Sequence, residues 1–212
     1  MNMIDNFLLI LLLSYSAMAI MLEFPLDCNL GENCRISKLP RHYLKGKQVD
    51  FHCGRNTYNG HKGTDFALKN YNQMYKGVKV LAPFDGEIVA VRDRMKDVNV
   101  RIAGRKSVKG VECGNGVVVA NGEYEAQLCH LKKGSILVRT GQTIKKGYAV
   151  GLVGLSGFTD FPHLHISLRK NTNEIDPFYG DQEGCGRTPK SMWKDMIKMH
   201  RYSQVISFSI FD

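Results

Sequence analysis

Val117-Val118-Val119-Ala120-Asn121-Gly122-Glu123-Tyr124 decides the fold of this 212-residue chain. An apolar arm rises to an Asn-Gly pair, and a second arm, Tyr124 to Leu131, leaves it. Asn-Gly accepts the positive φ angles of a tight hairpin turn, so two antiparallel strands are expected here. The same grammar recurs outward in both directions. Gly77 to Val91 reads as two short strands around the turn Ala82-Pro83-Phe84-Asp85-Gly86. Ser135 to Val138, Gly141 to Gly147 and Tyr148 to Val153 read as strand, turn and strand, and His163 to Leu168 as a further strand ended by Asn171-Thr172-Asn173. Helix signals are scarce, and 21 glycines punctuate the short apolar runs. The expected fold is all-β: a mostly antiparallel sheet of short strands with glycine-rich loops.

At 212 residues, 43% of them hydrophobic, the chain has room for one ordinary domain with extensions. The β domain is expected over residues 51–180. Residues 20–50 lack periodicity and read as a lead-in segment pinned by cysteines; residues 181–212 read as a C-terminal extension. In that extension Ser191 to His200 suggests a short helix with Met192, Trp193, Met196 and Ile197 on its apolar side, and Ile206, Phe208 and Ile210 suggest a terminal strand. Phe7 to Leu22 is an uncharged apolar run, and Ala17-Met18-Ala19 fits the small-x-small rule for leader cleavage, so residues 1–19 are expected to be a signal peptide. The run falls short of the roughly 20 apolar residues that span a bilayer. No stable membrane span is therefore expected after cleavage.

Six cysteines, an even set beside an export signal, point to disulfides in an oxidising compartment. Proximity favours Cys28 with Cys34 across a short turn, and Cys113 with Cys129 on the two arms of the hairpin, which leaves Cys53 for Cys185. No C-x-x-C pair is present to suggest a cysteine zinc site. The net charge is +9, and becomes +10 without residues 1–19, where Asp5 is the sole charged side chain. Such a chain attracts polyanions. Arg92 to Glu112 carries seven basic and three acidic residues, read either as a basic loop gripping an anionic polymer or as a solvated loop. The basic residues are not interleaved with aromatics, and nucleic acid is not an expected partner.

Two histidine phrases carry the chemistry. Gly60-His61-Lys62-Gly63-Thr64-Asp65 and Phe161-Pro162-His163-Leu164-His165-Ile166 lie about a hundred residues apart. In extended chain, His163 and His165 share a face, as do His61 and Asp65. Imidazole with carboxylate is a ligand set typical of catalytic zinc. His130, at the end of a predicted strand, is a further candidate. No H-E-x-x-H helix is present, so the common glutamate-base arrangement is excluded. Spacing does not say which of His163 and His165 would bind the metal.

The phrases resemble the lysostaphin/LytM-type zinc metalloendopeptidases that cut peptidoglycan, whose hallmarks are H-x-x-x-D and a later H-x-H. His61 with Asp65 matches the first and His163-Leu164-His165 the second. Val80 to Ile88, Cys129-His130-Leu131 and Gly141 to Gly147 resemble further family segments, so the likeness covers roughly residues 50–180. Cys113-Gly114-Asn115-Gly116 and Cys129-His130 resemble an exported, cysteine-containing branch. The resemblance implies a duplicated-hybrid-motif-like sheet around a zinc cleft, with His61, Asp65 and His165 as Zn2+ ligands and His130 and His163 as catalytic residues. Of the last two, His163 would be the base and His130 the oxyanion stabiliser, a division that spacing leaves open. The implied activity is hydrolysis of peptidoglycan cross-links or bridges by a metal-activated water, in the periplasm or outside the cell; the alternative is a non-catalytic wall-binding or amidase-activating module of the same fold. One departure is Leu128, two before His130, where such enzymes often carry tyrosine. For a closed, structural zinc site His52 would be the nearest fourth ligand.

Overall fold

The structure, a computed structural model, describes residues 20–195 and 198–199. The expected signal peptide and terminal strand fall outside those residues, as do Met196, Ile197 and His200 of the expected Ser191 to His200 helix. In chain order the strands are β1 (Cys34–Lys38), β2 (His42–Leu44), β3 (Lys47–Val49), β4 (Thr64–Leu68), β5 (Lys79–Leu81), β6 (Gly86–Arg92), β7 (Asn115–Asn121), β8 (Tyr124–Leu131), β9 (Thr143–Ile144), β10 (Ala149–Leu152), β11 (His163–Lys170) and β12 (Asn173–Ile175). Two short helices, α1 (Tyr71–Lys76) and α2 (Val100–Ala103), and a 3-10 turn at Arg105–Val108 interrupt them. The main sheet runs β1-β4-β11-β8-β7-β6-β9, with β12 beside the second half of β11, and its pairings are antiparallel. This is the mostly antiparallel β architecture that the apolar runs and turns foretold.

The Asn-Gly hairpin sits near the middle of that sheet. Asn121 pairs with Tyr124 and Val117 with Leu128, and Gly122 takes a φ of +58° in the turn. Alternation sorts the side chains. Val117, Val119, Ala126 and Leu128 join Phe66, Leu68, Leu164, Ile166 and Leu168 in one hydrophobic cluster. Directly opposite residues in antiparallel strands share a face. Asp65 therefore lies on the same side as His165, which faces it across the ladder, and His165 in turn faces Cys129. That side becomes the cleft. Leu128 belongs to the other side and is fully buried, so this position contributes nothing to the cleft in this chain.

By the same alternation His130 belongs with the core, next to Cys129. A bulge reverses it. Asn115 pairs with Leu131 but Gly116 with Cys129, leaving His130 as the extra residue, and its φ is +65°. The His130 amide donates to the Cys113 carbonyl at 2.8 Å, and its own carbonyl accepts from Gly154 at 2.9 Å. The Cys113–Cys129 disulfide clamps the two strands beside the bulge. Left-handed backbone at a residue with a Cβ costs about 1 kcal/mol, and bulges of this kind re-aim a side chain.

Cysteine pairing follows the expectation: Cys28–Cys34, Cys53–Cys185 and Cys113–Cys129. Three details of the strand reading differ. Ser135 to Val138 is irregular, attached through the Leu137 amide to the Val150 carbonyl, and β9 lies inside the segment expected to turn. The segment 20–50 supplies β1, which pairs with β4, because Cys34 and Ile36 alternate into the core in a run too short to show periodicity. Trp193 forms a parallel bridge with Leu22, so this part of the expected helix is extended. Among the described residues no helix is long and apolar enough to cross a membrane.

His130→Gly is predicted to unfold at higher denaturant than His130→Ala, by about 1 kcal/mol, since both lose the ring but glycine alone is relieved of left-handed strain. Equal or reversed stabilities in urea titration would show that the bulge does not hold this residue in that conformation.

Candidate metal centre

His61, Asp65 and His165 offer one ligand atom each within 4.8 Å of one another. Asp65 sits in β4, every residue of which is buried. Its Oδ1 lies 3.0 Å from His61 Nε2 and 2.8 Å from His165 Nδ1. The spacing in Gly60-His61-Lys62-Gly63-Thr64-Asp65 has a steric reason at Gly63. A Cβ there would lie 2.3 Å from the Ile166 carbonyl oxygen and 2.7 Å from His165 Nε2. Only glycine lets β11 pass this close with the His165 ring turned so that Nδ1 meets the carboxylate.

Hydrogen bonds at the far side of each ring set the tautomers. His61 Nδ1 lies 2.8 Å from the Leu39 carbonyl, so it is the donor there, and Nε2 presents a lone pair to Asp65. Two acceptors would then face each other across 3.0 Å in a buried site, a contact that either a proton on Nε2 or a metal ion relieves. A tetrahedral ion with bonds of about 2.0–2.2 Å keeps its ligands roughly 3.3–3.6 Å apart, so the two contacts of Asp65 have to open by about half an ångström. The donor set is hard to borderline, as zinc prefers. His52, by contrast, packs on Phe51 and is not part of this group.

The other two histidines stand beside the trio. His163 Nε2 is 3.7 Å from Asp65 Oδ1, and its Nδ1 contacts the Phe161 carbonyl at 2.8 Å and Thr159 Oγ1 at 3.0 Å. His130 Nδ1 donates to the Ser156 carbonyl at 2.8 Å, and the His130 and His163 ring centres are 4.7 Å apart. Both therefore turn Nε2 towards the cleft. All five residues singled out from the sequence line the cleft. Tyr58 was not singled out: its ring lies 4.5 Å from that of His61, and it borders both ends of the cleft. Its position in a loop three residues before the motif carries no sequence signal of its own.

Electrostatics divide these groups. Burial opposes ionisation of Asp65, but His163, His165 and His61 outweigh it and hold the carboxyl well below the usual range. Burial, reinforced by His163 and His165, pushes His130 well below an ordinary histidine and keeps it neutral. Burial, with Asp65 and Asp160, pushes the Tyr58 phenol up, so it remains a protonated donor.

A mostly antiparallel sheet with a His-Asp-His group on one face defines a metallopeptidase class of site. Residues 59–177 match peptidase family M23, and the chain belongs to that family. The peptidoglycan DD-endopeptidase ShyA of Vibrio cholerae is 34% identical over 138 residues, 65% of this chain and 26% of that protein. A metalloprotease of Haemophilus influenzae is 31% identical over 118 residues, 55% of this chain and 20% of the relative. The chain thus spans a fifth to about a quarter of the length of these relatives. Among solved structures, the SpoIIQ–SpoIIIAH pore forming complex contains a chain 19% identical, with a TM-score of 0.52 over 75% of this chain and 89% of that one, which reflects the shared fold.

Gly63→Ala is predicted to weaken zinc binding at least tenfold, measured by competition with a chromophoric chelator, because the new methyl displaces the His165 ring. Unchanged affinity would mean that the glycine serves the turn and not the ligand.

Proposed function

We propose that this chain is a zinc-dependent endopeptidase that hydrolyses peptide cross-links or bridges of peptidoglycan, acting in the periplasm or outside the cell. The observation that carries the reading is one buried carboxylate oxygen shared by two imidazole nitrogens, with two further imidazoles presenting Nε2 beside it. The two Vibrio cholerae relatives named as peptidoglycan DD-endopeptidases, 34% and 30% identical, support the substrate class. Three disulfides support an extracytoplasmic setting, and the chain's positive charge suits an anionic wall.

His61 Nε2, Asp65 and His165 Nδ1 would hold the zinc. When bound, zinc supplies a Lewis acid that polarises the peptide carbonyl and makes water a nucleophile near neutral pH. The remaining work belongs to side chains. His130, kept neutral by burial and with its Nδ1 proton committed to Ser156, can accept the proton of the attacking water at Nε2. His163, whose Nδ1 is likewise held by the Phe161 carbonyl, also presents Nε2 to the cleft, 3.7 Å from the Asp65 carboxylate, and stands beside the carbonyl under attack. Either ring can therefore take the part of the base, which the resemblance gives to His163. Thr159 and the Phe161 carbonyl orient the His163 ring.

Purified protein incubated with peptidoglycan is expected to consume cross-linked dimers, and to stop when a chelator removes the metal. His163→Ala should retain about one zinc per chain while losing activity by roughly 10²- to 10⁴-fold. Cross-linked dimers persisting equally in all samples would contradict the enzyme and leave a non-catalytic wall-binding module.

A further inference from the structure

The cleft is asymmetric in charge. Its two ends meet at the histidine cluster, where Tyr58 and Phe158 border both. At the end containing Glu112, Lys62 pairs with Glu174 at 2.9 Å, and Arg169 reaches Gln127 at 2.5 Å and Glu125 at 3.5 Å. Its cations are therefore occupied. The other end, a hollow of about 430 Å³, holds Arg35, Lys38, Arg101 and Arg105. Asp160 is its carboxylate apart from Asp65, and Arg101 takes it at 2.6 Å. Arg35, Lys38 and Arg105 have no ion-pair partner among the described residues.

The backbone is arranged to bring these cations into the cleft. In β1, Arg35 faces Ala67 on the cleft side of β4. Regular alternation would then turn Lys38 towards the core. A bulge between Ile36 and Lys38 slips the register so that Lys38, and not Ser37, faces Asp65. Arg35, Ser37 and Lys38 consequently all line the same hollow. The two guanidinium groups lie against aromatic walls: Arg35 Cζ is 5.8 Å from the centre of Phe161, and Arg105 Cζ is 5.5 Å from that of Phe158. Such stacking orients a guanidinium and leaves its edge free for a two-pronged contact with carboxylate. Arg35 and Lys38 also lie outside residues 59–177, so this wall is an addition of the chain to its family segment.

We propose that Arg35, Lys38 and Arg105 form a carboxylate-binding subsite, which selects peptides carrying a free carboxylate within a residue or two of the scissile bond. The proposal rests on the endopeptidase reading above for the bond cleaved, but not for the binding. Three unpaired cations in one hollow concentrate the field there, and a neutral amide in place of the carboxylate forfeits it.

The test uses the zinc-loaded full chain and a pair of cross-linked peptides, one with its carboxylates free and one with them amidated. Calorimetry with uncleavable versions, in which the scissile amide is N-methylated, reads binding; kcat/KM with the cleavable pair reads turnover. The free form is expected to bind at least tenfold tighter. Arg35→Gln/Lys38→Gln/Arg105→Gln should bring the two affinities within about twofold. Lys145→Gln/Lys146→Gln, which removes charge beyond the opposite edge strand β9, should preserve the preference. Equal affinity of the wild type for both peptides, or a triple variant that keeps the preference, would overturn the subsite. Carboxylate-dependent binding without any cleavage would support the subsite and overturn only the endopeptidase reading.

Discussion

A single oxygen atom, Asp65 Oδ1, organises the centre of this molecule. It lies within 3.0 Å of nitrogens from His61 and His165, and 3.7 Å from a third on His163. Burying a carboxylate is costly unless positive charge and hydrogen bonds surround it. Much of the fold serves that requirement. β4 is covered on both faces, β11 crosses it with His165 opposite Asp65, and Gly63 removes the side chain that would otherwise keep the two strands' rings apart. The histidines that neutralise the carboxylate are thus placed by strand register, which a one-residue slip would destroy.

How far the sequence reveals this depends on the range of each interaction. The H-x-x-x-D and H-x-H spacings are local, and alternation along one strand suffices to place His163 and His165 on one face. The Asn121-Gly122 hairpin and the pairing of Cys113 with Cys129 are equally short-range, and both were legible. His130 was found as a residue, but its orientation depends on a bulge that no local pattern announces. Leu128 shows the opposite case: aligned by motif with a cleft residue, it points into the core because the strand alternates through it. β1 escaped notice since five residues are too few for a periodic signal, and its partner β4 begins 26 residues after β1 ends. Tyr58 reaches the cleft only through the path of its loop.

The division between family and chain falls along the same line. Residues 59–177 carry the five clustered His and Asp side chains and the strands that hold them. The segment before them adds β1, tied at its start by Cys28–Cys34, and with it one basic wall of the cleft. Cys53–Cys185 and the bridge from Leu22 to Trp193 fasten the flanks back onto the core. The basic hollow is thus built from both stretches, with Arg35 and Lys38 from β1 and Arg105 from within the family segment.

Which nitrogens hold the metal decides the part left to every other side chain in the cleft. A crystal grown with zinc, with anomalous difference maps on either side of the zinc edge, reads this directly. Zinc is expected within about 2.0–2.2 Å of His61 Nε2, an Asp65 oxygen and His165 Nδ1, with His130 and His163 outside bonding distance. Zinc bonded to His163 or His130 in place of His165, or no zinc at Asp65, would contradict that ligand set.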